Sequence, residues 1–233
     1  MKNQRNIALV LAGGTGSRLE ADVPKQYIEV NGKPIISYCV DTLTTHDRVD
    51  AIWIAADEMW HSYISEHIPM EKFRGFSAPG RNRQLSIWQG LCAIKAFAAD
   101  DALIMIHDAA RPLLGKKQIE DCLAAAAMHD GAMPVLPMKD TVYLSRDGKR
   151  VSELLDRGTL FAGQAPEVFR LDKYYEANRI LLPEKILFIN GSTEPAILME
   201  MDIAIVPGDE QNFKITTKED LNRFRAIMES RSK

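Results

Sequence analysis

Cysteine is scarce in this chain of 233 residues: there are three, Cys39, Cys92 and Cys122. They lie too far apart for a zinc site, and an odd number makes a poor disulfide framework. A reducing, cytoplasmic setting is therefore expected. No apolar run approaches the roughly 20 residues of a membrane span. Met1 to Arg5 lead straight into an apolar stretch, so a secretory leader is not expected. Neither sign of charge dominates: 29 basic residues face 32 acidic ones, a net charge of −3. That excludes a basic footprint for nucleic acid. Internal repeats and low-complexity tracts are missing too. What is present is a hydrophobic fraction of 46%, enough for a full core. The length suits one α/β domain with room for a small appendage.

The chain is organised around Leu11-Ala12-Gly13-Gly14-Thr15-Gly16-Ser17-Arg18, with Pro24-Lys25-Gln26-Tyr27 close behind. Ile7 to Leu11 read as a strand buried on both faces. The glycines that follow let the backbone turn sharply and approach a ligand closely. Successive N–H groups in such a loop can converge on phosphate oxygens. Arg18 and Lys25 add positive charge. The Walker pattern is absent, because Gly16 is followed by Ser17-Arg18. The dinucleotide fingerprint fails as well, because Leu19 stands where its third glycine belongs. What remains, Ala-Gly-Gly-x-Gly-x-Arg and then Pro-Lys-Gln, resembles the signature of nucleotidyltransferases that activate sugar or polyol phosphates.

Further along, Asn31-Gly32 is a turn signal, and Pro34 opens a helix with Ile36, Cys39, Val40 and Leu43 as its buried stripe. Ala51 to Ala56 is a second core strand, and His61 and His67 in the helix after it read as surface residues. Gly80 to Ser86 enter a helix striped by Leu85, Trp88, Leu91 and Cys92, with Arg83 and Ser86 at an N-terminus that could face a ligand. Ala102 to Ile106, a third core strand, runs into His107-Asp108-Ala109-Ala110-Arg111-Pro112. An Asp just past a parallel strand lies in the crevice where open α/β sheets bind ligands, and beside a triphosphate it is a natural Mg²⁺ ligand. The alternative for Asp108 is a helix N-cap.

Gln118 to Met128 is a helix, and Gly131 to Pro137 a strand with edge-type prolines. Asp140 to Leu144 and Val151 to Leu154, joined through Asp147-Gly148, read as a hairpin without a core of its own. Ile203 to Val206 and Phe213 to Ile215 are late strands, and Thr216-x-x-Glu219 is a capping box for a closing helix. Lys214 would stand at a strand end, pointing into the same crevice as Asp108.

Taken in order, the glycine loop, the Pro-Lys-Gln block, His107 to Pro112, Asp140-Thr141 with Asp156-Arg157, and Asn212 to Thr216 are similar to the CTP-dependent polyol-phosphate cytidylyltransferases. One branch of that family acts on 2-C-methyl-D-erythritol 4-phosphate for isoprenoid precursors, the other on D-ribitol 5-phosphate for teichoic acid or capsule polymers. The resemblance covers nearly the whole chain. It implies an α/β fold, a Rossmann-like mixed but mostly parallel sheet flanked by helices. Residues 1–233 would form a single domain, with 139–155 a hairpin arm for homodimerisation. CTP and Mg²⁺ are implied. Leu11, Ala12, Gly13, Gly14, Thr15 and Gly16 would hold the cytidine and phosphates, and Arg18 and Lys25 would offset charge on the α- and β-phosphates. Gly80, Arg83, Ser86, Asp108 and Ala109 would complete the nucleotide site, with Gly80 and Ser86 at the base and Asp108 on the metal or the ribose. Asp108, Arg111, Thr141, Arg157 and Lys214 would hold the polyol phosphate, Thr141 and Arg111 reaching across the dimer. Lys214 would serve the chemistry as well.

The chain departs from the erythritol branch in two places. Ala165-Pro166-Glu167 stands for Thr-Pro-Gln, and Thr193-Glu194-Pro195-Ala196 for a Thr-Asp-Glu/Asp-Ala run. Together with Leu11-Ala12-Gly13-Gly14, this tilts the expected acceptor towards ribitol 5-phosphate. Two other classes stay open: a UTP- or GTP-using sugar-1-phosphate nucleotidyltransferase, and a nucleotide-binding module without turnover.

Overall fold

The computed structural model describes residues 4–14 and 23–231. Inside its main sheet, β1 (Gln4–Leu11) is flanked in parallel by β4 (Ala51–Ala55) and β6 (Ala98–Asp108). Side chains alternate across these strands. Ala8, Val10, Ile52, Ile54, Leu103 and Met105 enter one hydrophobic cluster. Ile7, Leu9, Ala51, Trp53, Ile104 and Ile106 enter another. A period of two with both halves apolar is what a sheet covered on both faces requires. The first face is covered by α1 (Ile35–Thr44), α2 (His61–His67) and α4 (Lys116–Met128), the second by α3 (Arg83–Lys95) and α5 (Leu171–Arg179).

β5 (Phe73–Ser77) extends the sheet beyond β4. On the other side, β11 (Glu167–Arg170) lies antiparallel between β6 and β7 (Gly131–Pro137). β10 (Phe161–Gly163) pairs antiparallel with the far end of β7, and β12 (Ile203–Pro207) runs parallel to β7. β7 is thus interior, where its prolines suggested an edge. The Pro134 carbonyl still accepts from Gln164 N at 2.8 Å. The mixed, mostly parallel sheet matches the expected class.

Two small hairpins stand apart. β2 (Glu29–Val30) and β3 (Lys33–Pro34) close through Asn31 at φ 51° and Gly32 at φ 70°, the positive-φ pair of a tight hairpin turn. β8 (Val142–Leu144) and β9 (Glu153–Leu155) pair only with each other among the described residues. Their turn carries Gly148 at φ 69°, and Asp147 Oδ1 accepts from the N–H groups of Lys149 and Arg150 at 2.9 Å each. Tyr143, Val151 and Leu154 are exposed on this hairpin.

Four local expectations change. Phe213 to Ile215 is not a strand. Ile215 N instead donates to Ala110 O at 2.9 Å, and its side chain packs with Val30, Leu113 and Phe224 in a third cluster. The cap of the closing helix (Lys218–Arg231) is shifted by one residue. Asp220 Oδ2 accepts from Thr216 N and Thr217 N, while Asp220 N donates to Thr217 Oγ1. The buried stripe of α3 is Ile87, Leu91 and Ile94, with Cys92 exposed. His61 and His67 are half-buried, and the His61 ring stacks on Phe76 at 3.8 Å.

Candidate active site

The carboxyl ends of β1, β5 and β6 open into a cleft of about 460 Å³. Its rim begins where β1 stops. Leu11 O accepts from Ala109 N at 3.1 Å, which locks the ends of β1 and β6 together. Gln26, buried in a short 3₁₀ turn (Lys25–Tyr27), donates from Nε2 to Ala12 O at 2.6 Å and to Gly14 O at 2.8 Å. That grip sets the loop backbone and puts Lys25 on the rim beside Gly13 and Gly14. A Cβ on Gly13 would lie 2.4 Å from Pro79 Cβ, so the two walls meet only because residue 13 is glycine.

The opposite wall is the entry to α3. Asn82 caps it, accepting from Leu85 N at 2.8 Å. Ser86 Oγ accepts from Gly80 N at 2.9 Å and donates to Asn82 O at 3.0 Å. A Cβ on Gly80 would fall 2.3 Å from Leu85 Cβ and 2.6 Å from the Leu85 carbonyl carbon. The loop can fold this tightly onto the helix only with glycine there.

The floor is ionic. Asp108 ends β6 and is 7% exposed. Its Oδ1 lies 3.2 Å from Arg83 Nε; its Oδ2 lies 3.0 Å from Lys214 Nζ and 3.4 Å from Arg111 Nε. Burial opposes ionisation, but the Arg83, Lys214 and Arg111 cations outweigh it and hold the Asp108 carboxyl far below the usual carboxylate range. Arg111 Nη1 also donates to Asn212 O at 2.7 Å, which fixes the segment that carries Lys214. Glu167 Oε2 lies 3.6 Å from Arg83 Nη2. Three cations around one buried carboxylate, under a rim of backbone amides, suit a polyanionic ligand.

The family described as IspD, 2-C-methyl-D-erythritol 4-phosphate cytidylyltransferase, matches residues 6–230. The chain belongs to this family. It is therefore a nucleotidyltransferase enzyme of the cytidylyltransferase type. It is 32% identical to the ribitol-5-phosphate cytidylyltransferase of Streptococcus agalactiae serotype III over 230 residues, 97% of this chain and 96% of the relative. It is 34% identical to the 2-C-methyl-D-erythritol 4-phosphate cytidylyltransferase of Geotalea uraniireducens over 233 residues, 97% of each chain. The fold matches the crystal structure of 4-diphosphocytidyl-2C-methyl-D-erythritol synthase from Anaerococcus prevotii with a TM-score of 0.82, at 22% identity, over 97% of this chain and 96% of that one.

Within this cytidylyltransferase the cleft gathers Leu11, Gly13, Gly14, Lys25, Gly80, Arg83, Ser86, Asp108 and Lys214. Thr15, Gly16 and Arg18 lie outside the described residues. Ala12 and Ala109 are buried behind the rim, where they bond other strand ends instead of lining the cleft. Arg111 is turned inward onto Asp108 and Asn212 of its own chain, against the expectation that it reaches across a dimer. Thr141 and Arg157 are exposed and line a separate depression of about 380 Å³ beside Leu154, so one chain does not bring them to Lys214. The N-cap alternative for Asp108 fails, because its carboxylate is taken up by side-chain cations. Gln26, Asn82 and Glu167 were not expected as site residues. Gln26 stood in the Pro-Lys-Gln block and Asn82 was legible as a cap, whereas Glu167 gave no local signal.

Among the described residues, no group of three or more metal-ligating side chains occurs. A protein-built Mg²⁺ cage is absent from them; Asp108 is a lone carboxylate that could lend an oxygen to an ion carried by phosphates.

Proposed function

We propose that the enzyme transfers CMP from CTP to a polyol phosphate, with D-ribitol 5-phosphate preferred, giving a CDP-polyol and pyrophosphate. The observation that carries this reading is the Arg83–Asp108–Lys214 floor beneath a glycine rim that also presents Lys25. The nucleotide lies along the rim, with Gly80 and Ser86 at the base and Lys25 and Arg18 at the phosphates. The acceptor phosphate binds by Lys214. Its oxygen attacks the α-phosphorus in line. The new O–P bond forms as the bond to the bridging oxygen of the β-phosphate breaks, and pyrophosphate leaves with that electron pair. An ionised phosphate needs no general base. His107 is excluded from that role by complete burial, with its Nε2 3.0 Å from Arg111 O. Catalysis then rests on positioning and on fixed positive charge around the transferring phosphorus. When Mg²⁺ is carried in by the triphosphate, Asp108 would supply one oxygen and the ion would neutralise further phosphate charge.

The working unit is a cytoplasmic homodimer. The arm of residues 139–155 exposes Tyr143, Val151 and Leu154, uncovered among the described residues of its own chain, and a lone two-stranded hairpin is marginal in water. A two-fold dimer would cover it and bring the partner's Thr141 and Arg157 towards the acceptor. The preference for ribitol 5-phosphate follows from Ala165 and Pro195, which replace polar residues of the erythritol branch. The test is kcat/KM for both acceptors with CTP in one preparation. A higher value for ribitol 5-phosphate is expected. A preference for 2-C-methyl-D-erythritol 4-phosphate overturns the acceptor assignment, and absence of pyrophosphate release with either overturns the whole reading.

A further inference from the structure

The reaction as described leaves one buried charge below the cleft without a part. Glu167 opens β11, is 8% exposed and does not line the cleft. Its partners lie on two sides. Towards the cleft, Arg83 spans two carboxylates, with Nη2 3.6 Å from Glu167 Oε2 and Nε 3.2 Å from Asp108 Oδ1. Away from it, Ser192 Oγ donates to Glu167 Oε2, and Thr193 Oγ1 donates to Oε1 at 3.3 Å. A belt of contacts therefore runs from Thr193 through Glu167, Arg83, Asp108 and Arg111 to Asn212, two residues before Lys214. Its charges alternate in sign, and it ties together five segments remote in sequence.

We propose that Glu167 is a positioning residue: it shares the Arg83 guanidinium with Asp108, and so keeps Asp108 shared with Lys214 and Lys214 poised for the acceptor phosphate. The inference rests on the reading of the cleft given above. The planar guanidinium can bridge two carboxylates because its donors are fixed in a fork. Without charge at residue 167, Arg83 turns wholly to Asp108. It then competes with Lys214 for that carboxylate, and the ammonium loses its anchor.

Protonation of Glu167 has the same electrical effect as removing its charge. Burial pushes its carboxyl above the usual range; Arg83 and the Ser192 and Thr193 hydroxyls pull against this, and Asp108 adds to the push. The charged and titratable groups around it are Arg83 from α3, Asp108 from β6, Tyr174 from α5 and Cys122 from α4. Burial pushes Tyr174 and Cys122 up, Cys122 to about 12, so both stay neutral in the working range. Asp108 is held ionised by its cations. Of this set, Glu167 is the group that takes up a proton as the medium is acidified.

The experiment compares kcat/KM for the better of the two polyol phosphates, at saturating CTP, in the wild type and in Glu167→Gln across about pH 5.5 to 8.5. Glutamine keeps the shape, with its one carbonyl oxygen accepting from one of the two hydroxyls and its amide nitrogen donating to the oxygen of the other, but carries no charge. The variant should be about tenfold slower at about pH 8, chiefly through the acceptor KM, with the CTP KM changed less than about threefold. The ratio of wild type to variant should close towards one as the pH falls. Taking the ratio cancels the titration of the acceptor phosphate itself. A merely structural role gives a ratio independent of pH, and that result, or a ratio near one at high pH, overturns the proposal. Ser192→Ala supplies a second arm, because it removes a hydrogen bond that favours the carboxylate. It should move the acid limb of the profile to higher pH, and an unmoved limb also overturns the proposal. An active enzyme with a flat ratio refutes only the role of Glu167. A wild type that releases no pyrophosphate with either acceptor refutes the cleft reading and this inference with it.

Discussion

His107 precedes the carboxylate at the centre of the site and is itself completely buried. Its Nε2 lies 3.0 Å from Arg111 O, and Nδ1 has no hydrogen-bond partner among the described residues. Burial is the main influence on the ring and pulls its pKa from 6.5 down to about 4, against the Arg111 carbonyl and the Asp108 charge. Between those two values the unfolded chain binds a proton that the folded chain refuses. Stability therefore rises with pH through this window and is lost as the medium is acidified from about 6.5 towards about 4. A gap of about 2.5 pH units, at about 1.36 kcal/mol for each, amounts to about 3 kcal/mol. For a domain of this size that lowers Tm by roughly 6–12 °C. The perturbation that isolates the effect is His107→Gln, because the amide can still donate to the Arg111 carbonyl but does not titrate. Melting curves by calorimetry from about pH 7.5 to about pH 4.5 should show the wild type falling more steeply than the variant. Carboxylates elsewhere act equally in both proteins and cancel in the difference. Parallel curves through this window would refute the argument that a buried neutral imidazole supplies the slope.

Two further outcomes follow from the site and the arm. Lys25→Ala should lower turnover at saturating CTP by at least about 10²-fold, the scale of losing one preorganised electrostatic donor; near-normal turnover in stopped pyrophosphate assays would remove Lys25 from the phosphate site. Leu154→Asp, at an arm position 63% exposed in one chain, should leave the monomer folded but abolish the dimer in sedimentation at micromolar concentration, with acceptor kcat/KM falling in step. An unchanged sedimentation coefficient, or a fully active monomer, would refute the shared site.

The parts that sequence reasoning reached are those written in short, contiguous code. Ile7 to Leu11 with the glycines behind them could be little else than a buried strand feeding a tight loop, and β1 is an interior strand with a parallel neighbour on each side. Asp108 was legible because an apolar strand runs directly into it. The arm was legible from Asp147-Gly148 between two short strands. What failed depended on tertiary neighbours. Phe213 to Ile215 has strand-like composition, but the edge it meets is the single carbonyl of Ala110. Cys92 sits at helical spacing, yet the face of α3 turned to the sheet is the one bearing Gly90, whose missing Cβ leaves room for Leu9. Arg111 looked like an outward cation until Asn212, 101 residues later, supplied a carbonyl to turn it inward. Arg83 and Glu167 are 84 positions apart in the numbering, and no periodicity links a helix start to a strand start.

The amide of Gln26 has a consequence for anyone redesigning this enzyme. One nitrogen holds two carbonyls on either side of Gly13, and the next residue back is the rim lysine. Cradle and cation are one machined part, so a change made to tune either retunes both. Glutamate at that position would present two acceptors to two acceptors and spring the loop open. The facing jaw, from Pro79 to Asn82, meets that part at Gly13 and is otherwise anchored to its own helix and, through Asn82, to the carbonyls of Ile186 and Leu187. If the base lies against Gly80 and Ser86 as proposed, this second jaw is where nucleotide choice would be re-cut without disturbing the first.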